Sequence, residues 1–97
     1  MGALASLHER KDALLSLARK CGAEDVRVFG SVARGDETDD SDIDLLVRWN
    51  DQASLTDWVA FQEEASQLLG RKVEVASEAS LHWHLKSRIL AEAKPLA

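Results

Sequence analysis

Two aspartates bracket one isoleucine at the mouth of an apolar run: Asp42, Ile43 and Asp44 lead into Leu45, Leu46 and Val47. Side chains alternate along a strand, so both aspartates point to one side and Ile43 to the other. The rise per residue sets the carboxylates roughly 6–7 Å apart along the strand. The isoleucine side then belongs to a core. The aspartate side faces water or a cation, because like charges on one sheet face repel. A solvated acidic strand start and a cation site both fit this pattern.

The rest of the chain supplies what such a strand needs. Asp25 to Phe29 alternates, with Val26 and Val28 on one face, and Lys72 to Ala76 alternates again, so each predicts a short strand. Residues 3–20 carry Leu4, Leu7, Leu14, Leu15 and Ala18 at helical spacings, with Cys21-Gly22 as a stop. Ser54 and Asp57 form a short capping box before Trp58, Phe61, Ala65 and Leu68, a face widened by Leu55, Val59 and Leu69. Gly70 ends that helix. A last helix is predicted over about 78–92, with Leu81, Leu85 and Ile89 as its core positions and Pro95 beyond it. The order helix, strand, turn, strand, helix, strand, helix predicts an α/β fold: a small mixed sheet packed by helices. With 97 residues, neither a linker nor a repeat, and one modest core, residues 1–97 read as a single domain.

Gly30-Ser31-Val32-Ala33-Arg34-Gly35 directly follows the first strand. A strand-to-helix junction of this kind exposes backbone N–H groups to phosphate, with Gly30 allowing close approach and Ser31 adding a hydroxyl. The spacing is superficially that of a P-loop, but Asp36-Glu37 stand where that loop has Lys-Ser/Thr. Read alone, Gly30 and Gly35 are turn residues and Ser31 a cap. The aspartates that follow favour the phosphate reading. Hard oxygen donors suit Mg²⁺ or Mn²⁺ held jointly by protein and substrate phosphates. Glu74 lies between Val73 and Val75, opposite the apolar face of its strand. If that strand neighbours the aspartate strand, Glu74 reaches the same face; otherwise it is an edge acid facing water.

The turn G-S-x-A-R-G after a strand, a short acidic loop, and S-D-I-D-L entering the next strand resemble the signature of minimal nucleotidyltransferases of the DNA polymerase beta-like superfamily. The resemblance implies the polymerase beta-like nucleotidyltransferase fold. It also implies nucleotide phosphates at Gly30 and Ser31, metals on Asp42 and Asp44, and a third acid at Glu74, where the family usually has Asp. Arg34 pairs with phosphate or with the acidic loop. The implied activity is metal-dependent transfer of a nucleoside monophosphate, AMP from ATP, to a hydroxyl acceptor on a partner protein. Family members of this size act as antitoxins of all-helical HEPN-type proteins. The alternative is a non-catalytic antitoxin that neutralises such a partner by binding.

Charge and composition set further bounds. Six of the 17 acids fall within residues 36–44, and elsewhere 11 acids face 12 basic residues. No basic stripe is present, so a broad nucleic-acid surface is not expected. No apolar run reaches a membrane span, and one cysteine suits a reducing cytoplasm. His82 and His84, two apart on the predicted helix, diverge too far to share a metal. Cys21 reads as structural and Trp58 as core. Trp49 and Trp83 are open between core packing, a base pocket and an interface.

Overall fold

In the computed structural model, which describes residues 3–38 and 40–96, alternation extends through three strands. The helices are α1 (Ala3–Glu9), α2 (Lys11–Lys20), α3 (Gly30–Arg34), α4 (Leu55–Leu69) and α5 (Trp83–Glu92). The strands are β1 (Ala23–Phe29), β2 (Ile43–Trp49), β3 (Val73–Ser77) and a two-residue β4 (Lys94–Pro95), in the sheet order β3-β2-β1-β4. β1 is antiparallel to both β2 and β4, whereas β2 and β3 are parallel, joined through α4. The sheet is mixed, as the pattern predicts. Asp39 and the side chain of Leu4 lie outside the described residues. No helix among those described is long and apolar enough to cross a membrane.

One face of the sheet makes the main core. Val26, Val28, Ile43, Leu45, Val47, Val73 and Val75 are buried against Leu7, Leu14, Ala18, Phe61 and Ala65 from the helices. On the other face Leu46 is also buried, where the turn of 3₁₀ helix at Glu78–Ser80 packs on β2. Asp44, two residues before Leu46, remains at the open end of that face.

The start of α4 follows from local chemistry. Ser54 Oγ accepts the Asp57 N–H at 3.2 Å, and Asp57 Oδ2 accepts the Ser54 N–H at 2.9 Å. Gly70 closes the helix in the left-handed region at φ 65°. Removing the cap with Ser54→Ala should lower stability by about 1 kcal/mol in urea unfolding.

Several boundaries differ from those predicted. The helix over 3–20 is two helices, broken at Arg10, whose ψ is 13°. No Gly or Pro marks the break; it lets α1 pack near α3 while α2 lies along β1, so that Leu7 and Leu14 are both fully buried. β1 starts two residues early with a register irregularity between Ala23 and Asp25, and β3 is shifted one residue on. The last helix begins at Trp83, because Leu81 and His82 are extended. None of its residues is fully buried, and Leu85, predicted for the core, is exposed. Leu55 and Val59 are exposed as well, so the buried stripe of α4 is narrower than its apolar face. Pro95 is in an edge strand, where its missing N–H costs no ladder bond. His82 precedes the helix rather than belonging to it, and its ring centroid comes within 4.1 Å of that of His84, contrary to the predicted divergence. Trp49 stacks on Trp58 at 6.2 Å beside Phe61, which is core packing, whereas Trp83 is exposed.

Candidate active site

Sheet register aligns the chemistry. Phe29 pairs with Asp44, and Asp44 pairs with Glu74, so a single row across three strands carries both acids and ends next to Gly30. Ile43, Leu45, Val73 and Val75 are all buried on the opposite side, as alternation requires. Asp42, just outside β2, completes a group of three carboxylates on one side of the sheet.

The glycine turn touches this row. Gly30 has φ 72°, and a Cβ built there would run into Asp44 Oδ2. Only a residue without a side chain brings the turn this close to the carboxylate. Ser31 follows on α3, and its carbonyl accepts the N–H groups of Gly35 and Asp36 at 2.9 and 3.1 Å, closing the turn.

Electrostatic pressure falls on Asp44. Burial pushes its carboxyl above the usual aspartate range, and the charges of Asp42 and Glu74 push it further. Arg34 offsets part of that push on Asp44, and the two neighbouring acids are met by a residue that the sequence reading passed over. Lys72 Nζ is 3.2 Å from Glu74 Oε1 and 3.8 Å from Asp42 Oδ2. Its ammonium is held above its ordinary pKa by the bond to Glu74 and by Asp42. Lys72 is two positions before Glu74, so alternation was the signal that placed it on this side. Lys72 thus sets one positive charge among these carboxylates. The donor set is hard oxygen, which suits Mg²⁺ or Mn²⁺. Among the described residues no group of three or more His, Cys, Asp or Glu side chains is arranged to hold a metal ion by itself.

A second unforeseen residue closes the other side. Glu92, at the end of α5, accepts the Gly30 N–H at 3.0 Å through Oε2 and an Arg34 N–H at 2.6 Å through Oε1. Arg34 also donates to Asp36 of the acidic loop at 3.1 Å. Arg34 and then the Gly30 N–H hold the Glu92 carboxyl below its usual range. Arg71 fastens the acidic loop by pairing with Glu37 at 3.1 Å and donating to the Thr38 carbonyl. Part of the local negative charge is therefore neutralised within the protein. Cys21 is buried, and its thiol is pushed up by that burial and by Glu64 and Asp57, in keeping with a structural role.

The pH dependence of stability follows in sign. A carboxyl raised in the folded state binds its proton more tightly there than in the unfolded chain. Asp44 therefore withdraws stability as pH climbs from the ordinary carboxylate range through its own raised value, and the loss persists above it. Asp44→Asn should remove this slope and gain about 0.5 kcal/mol at neutral pH, the small size reflecting solvent screening at a half-buried site. Thermal melting across that pH window measures it.

The comparisons with known proteins agree with this fold. The nucleotidyltransferase domain model matches residues 10–96. A Methanocaldococcus jannaschii protein carrying a protein adenylyltransferase name is 38% identical over 88 residues, covering 91% of this chain and 95% of the relative. A solved structure described as a minimal nucleotidyltransferase superposes with a TM-score of 0.88 at 43% identity, over 98% of this chain and 96% of the other. A chain from the complex of tri-AMPylated Shewanella oneidensis HEPN toxin with MNT antitoxin shares the fold, with a TM-score of 0.69 at 18% identity over 92% and 70% of the two chains. With a matching domain model across most of its length and a close structural relative, the chain belongs to the nucleotidyltransferase domain family.

Proposed function

We propose that this chain is a metal-dependent protein adenylyltransferase, moving AMP from ATP to a hydroxyl of an all-helical HEPN-type partner that it restrains as an antitoxin. The observation that carries this reading is the row from Gly30 through Asp44 to Glu74, which sets a turn rich in N–H donors against a group of carboxylates. Gly30, Ser31 and Arg34 are the proposed phosphate-binding residues. Asp42, Asp44 and Glu74 are the proposed holders of Mg²⁺ or Mn²⁺. A metal held there would supply neutralising charge as the acceptor hydroxyl loses its proton and bonds to the α-phosphorus, the α–β anhydride bond breaks and pyrophosphate leaves. The protein contributes position: rigid β2 and β3 fix the acids, and the closed turn fixes the donors. The names of the relatives support the adenylyl group and the toxin partner. Residues 1–97 would work as one transferase domain in a reducing cytoplasm, where buried Cys21 stays a thiol.

A specific observation favours the second reading, binding without catalysis. The Glu74 side chain is 49% exposed, and Lys72 is already paired to it. Intact-protein mass spectrometry separates the two readings. Incubation with Mg²⁺, ATP and the cognate helical partner should add one or more AMP masses to the partner. A stable complex with no added mass, under Mg²⁺ or Mn²⁺ and with each nucleoside triphosphate, would establish the non-catalytic reading.

A further inference from the structure

Glu92 belongs to none of the groups that the transfer reaction requires, yet it engages two of the proposed phosphate donors. Its two oxygens are shared between the Gly30 N–H at 3.0 Å and Arg34 at 2.6 Å, a two-point grip of the kind that a phosphate oxygen pair would make. We propose that Glu92 is an internal competitor of the nucleotide polyphosphate, a carboxylate latch that holds the anion donors until a triphosphate displaces it. The inference rests on the nucleotide-binding reading given above and assigns a regulatory residue to that same site.

Three observations converge on the latch. Glu92 is close enough to Asp44 for its charge to add to those raising the Asp44 carboxyl, so a triphosphate drawn to Gly30 and Asp44 meets this negative group directly. The two anions cannot share the Gly30 N–H, which offers one proton. The element carrying Glu92 is also lightly held: α5 buries no residue completely, and the backbone leaves the helix at Ala93, ψ 135°. Leu96 beyond it is buried, so the chain on that side stays anchored while the side chain turns away. Displacement frees Arg34 from Glu92, and the same guanidinium becomes available to the phosphates. Arg88 is the other cation that acts on Glu92, and it is exposed. The acid therefore has a positive neighbour to swing toward.

Calorimetry with Mg²⁺ and either ATP or inorganic tripolyphosphate tests the latch on the intact chain. Glu92→Ala should bind both ligands about tenfold more tightly than wild type, the gain from no longer breaking a charge-assisted pair. Glu92→Gln keeps an acceptor for Gly30 without the charge and should gain less. Adenosine, without phosphates, should show no change in any variant. Unchanged or weaker polyphosphate binding in a variant that melts like wild type would overturn the latch and make Glu92 a positioning residue for Arg34, with nucleotide binding by wild type still standing. Absence of binding in wild type and both variants would overturn the nucleotide reading and the latch together. Should the substitutions unfold the chain, wild type decides alone. Titrating tripolyphosphate and Mg²⁺ should shift both the Gly30 amide and the Glu92 carboxyl carbon in NMR spectra. A bound ligand that leaves the Glu92 carboxyl unmoved would overturn the proposal.

Discussion

Asp44→Asn is expected to reduce AMP transfer to the partner by about a thousandfold or more, the usual scale for losing a charge that holds catalytic metal or stabilises a transition state. Asparagine keeps the size and one acceptor oxygen but removes the charge. It also removes the repulsion from Asp42 and Glu74 that raises the aspartate in the folded chain. The variant should therefore fold at least as well as wild type, and its inactivity would not be an unfolding artefact. Partner mass after a fixed incubation gives the rate, and thermal melting gives the fold. Transfer within tenfold of wild type would remove Asp44 from the reactive centre.

Gly30→Ala should be the most damaging small substitution. Two penalties add there: a left-handed backbone at φ 72° and a methyl group forced onto Asp44 Oδ2. The first costs about 1–2 kcal/mol. The second moves either the turn or the carboxylate, so the total should reach about 3 kcal/mol and Mg-ATP binding should be lost. Gly35→Ala is the matched comparison. Its φ is 80°, but nothing stands within 4 Å of the added methyl. It should cost about 1 kcal/mol and leave nucleotide binding within a few-fold of wild type. Urea unfolding and calorimetry on the two variants separate backbone strain from collision. Equal loss of binding in both would mean that the turn tolerates no strain at all, and contact with Asp44 would not be the reason.

The parts of this molecule that could be read from the chain are those decided within a few residues. Ile43 to Trp49 is a strand with one buried face because alternation leaves no other consistent choice, and the Ser54–Asp57 box is complete within four residues. The placement of Glu74 beside Asp44 needed one further fact, the pairing of β2 with β3, which the parallel crossover through α4 supplies. Glu92 was out of reach: it meets Gly30 across 62 residues, and its own neighbourhood in the chain resembles any helix end. The break at Arg10 leaves no local mark either, since it serves packing by two helices against different elements. Leu85 failed in the other direction. Its spacing from Ile89 is right for a buried stripe, but α5 covers the sheet too sparsely to use one. Lys72 alone was legible and passed over, since alternation applies to a residue just outside a strand as well.

The two margins of the sheet bear on how the protein behaves when crowded. Exposed strand edges invite copies of a chain to add on, end without end. Here one margin is β4, only two residues long, with Pro95 withholding a donor. The other is β3, five residues flanked and studded by Lys72 and Glu74, charges that a neighbouring copy would have to match in register. Neither margin offers a long, flat, uncharged template. A sheet so bordered gives identical chains no ready seam along which to join into fibres.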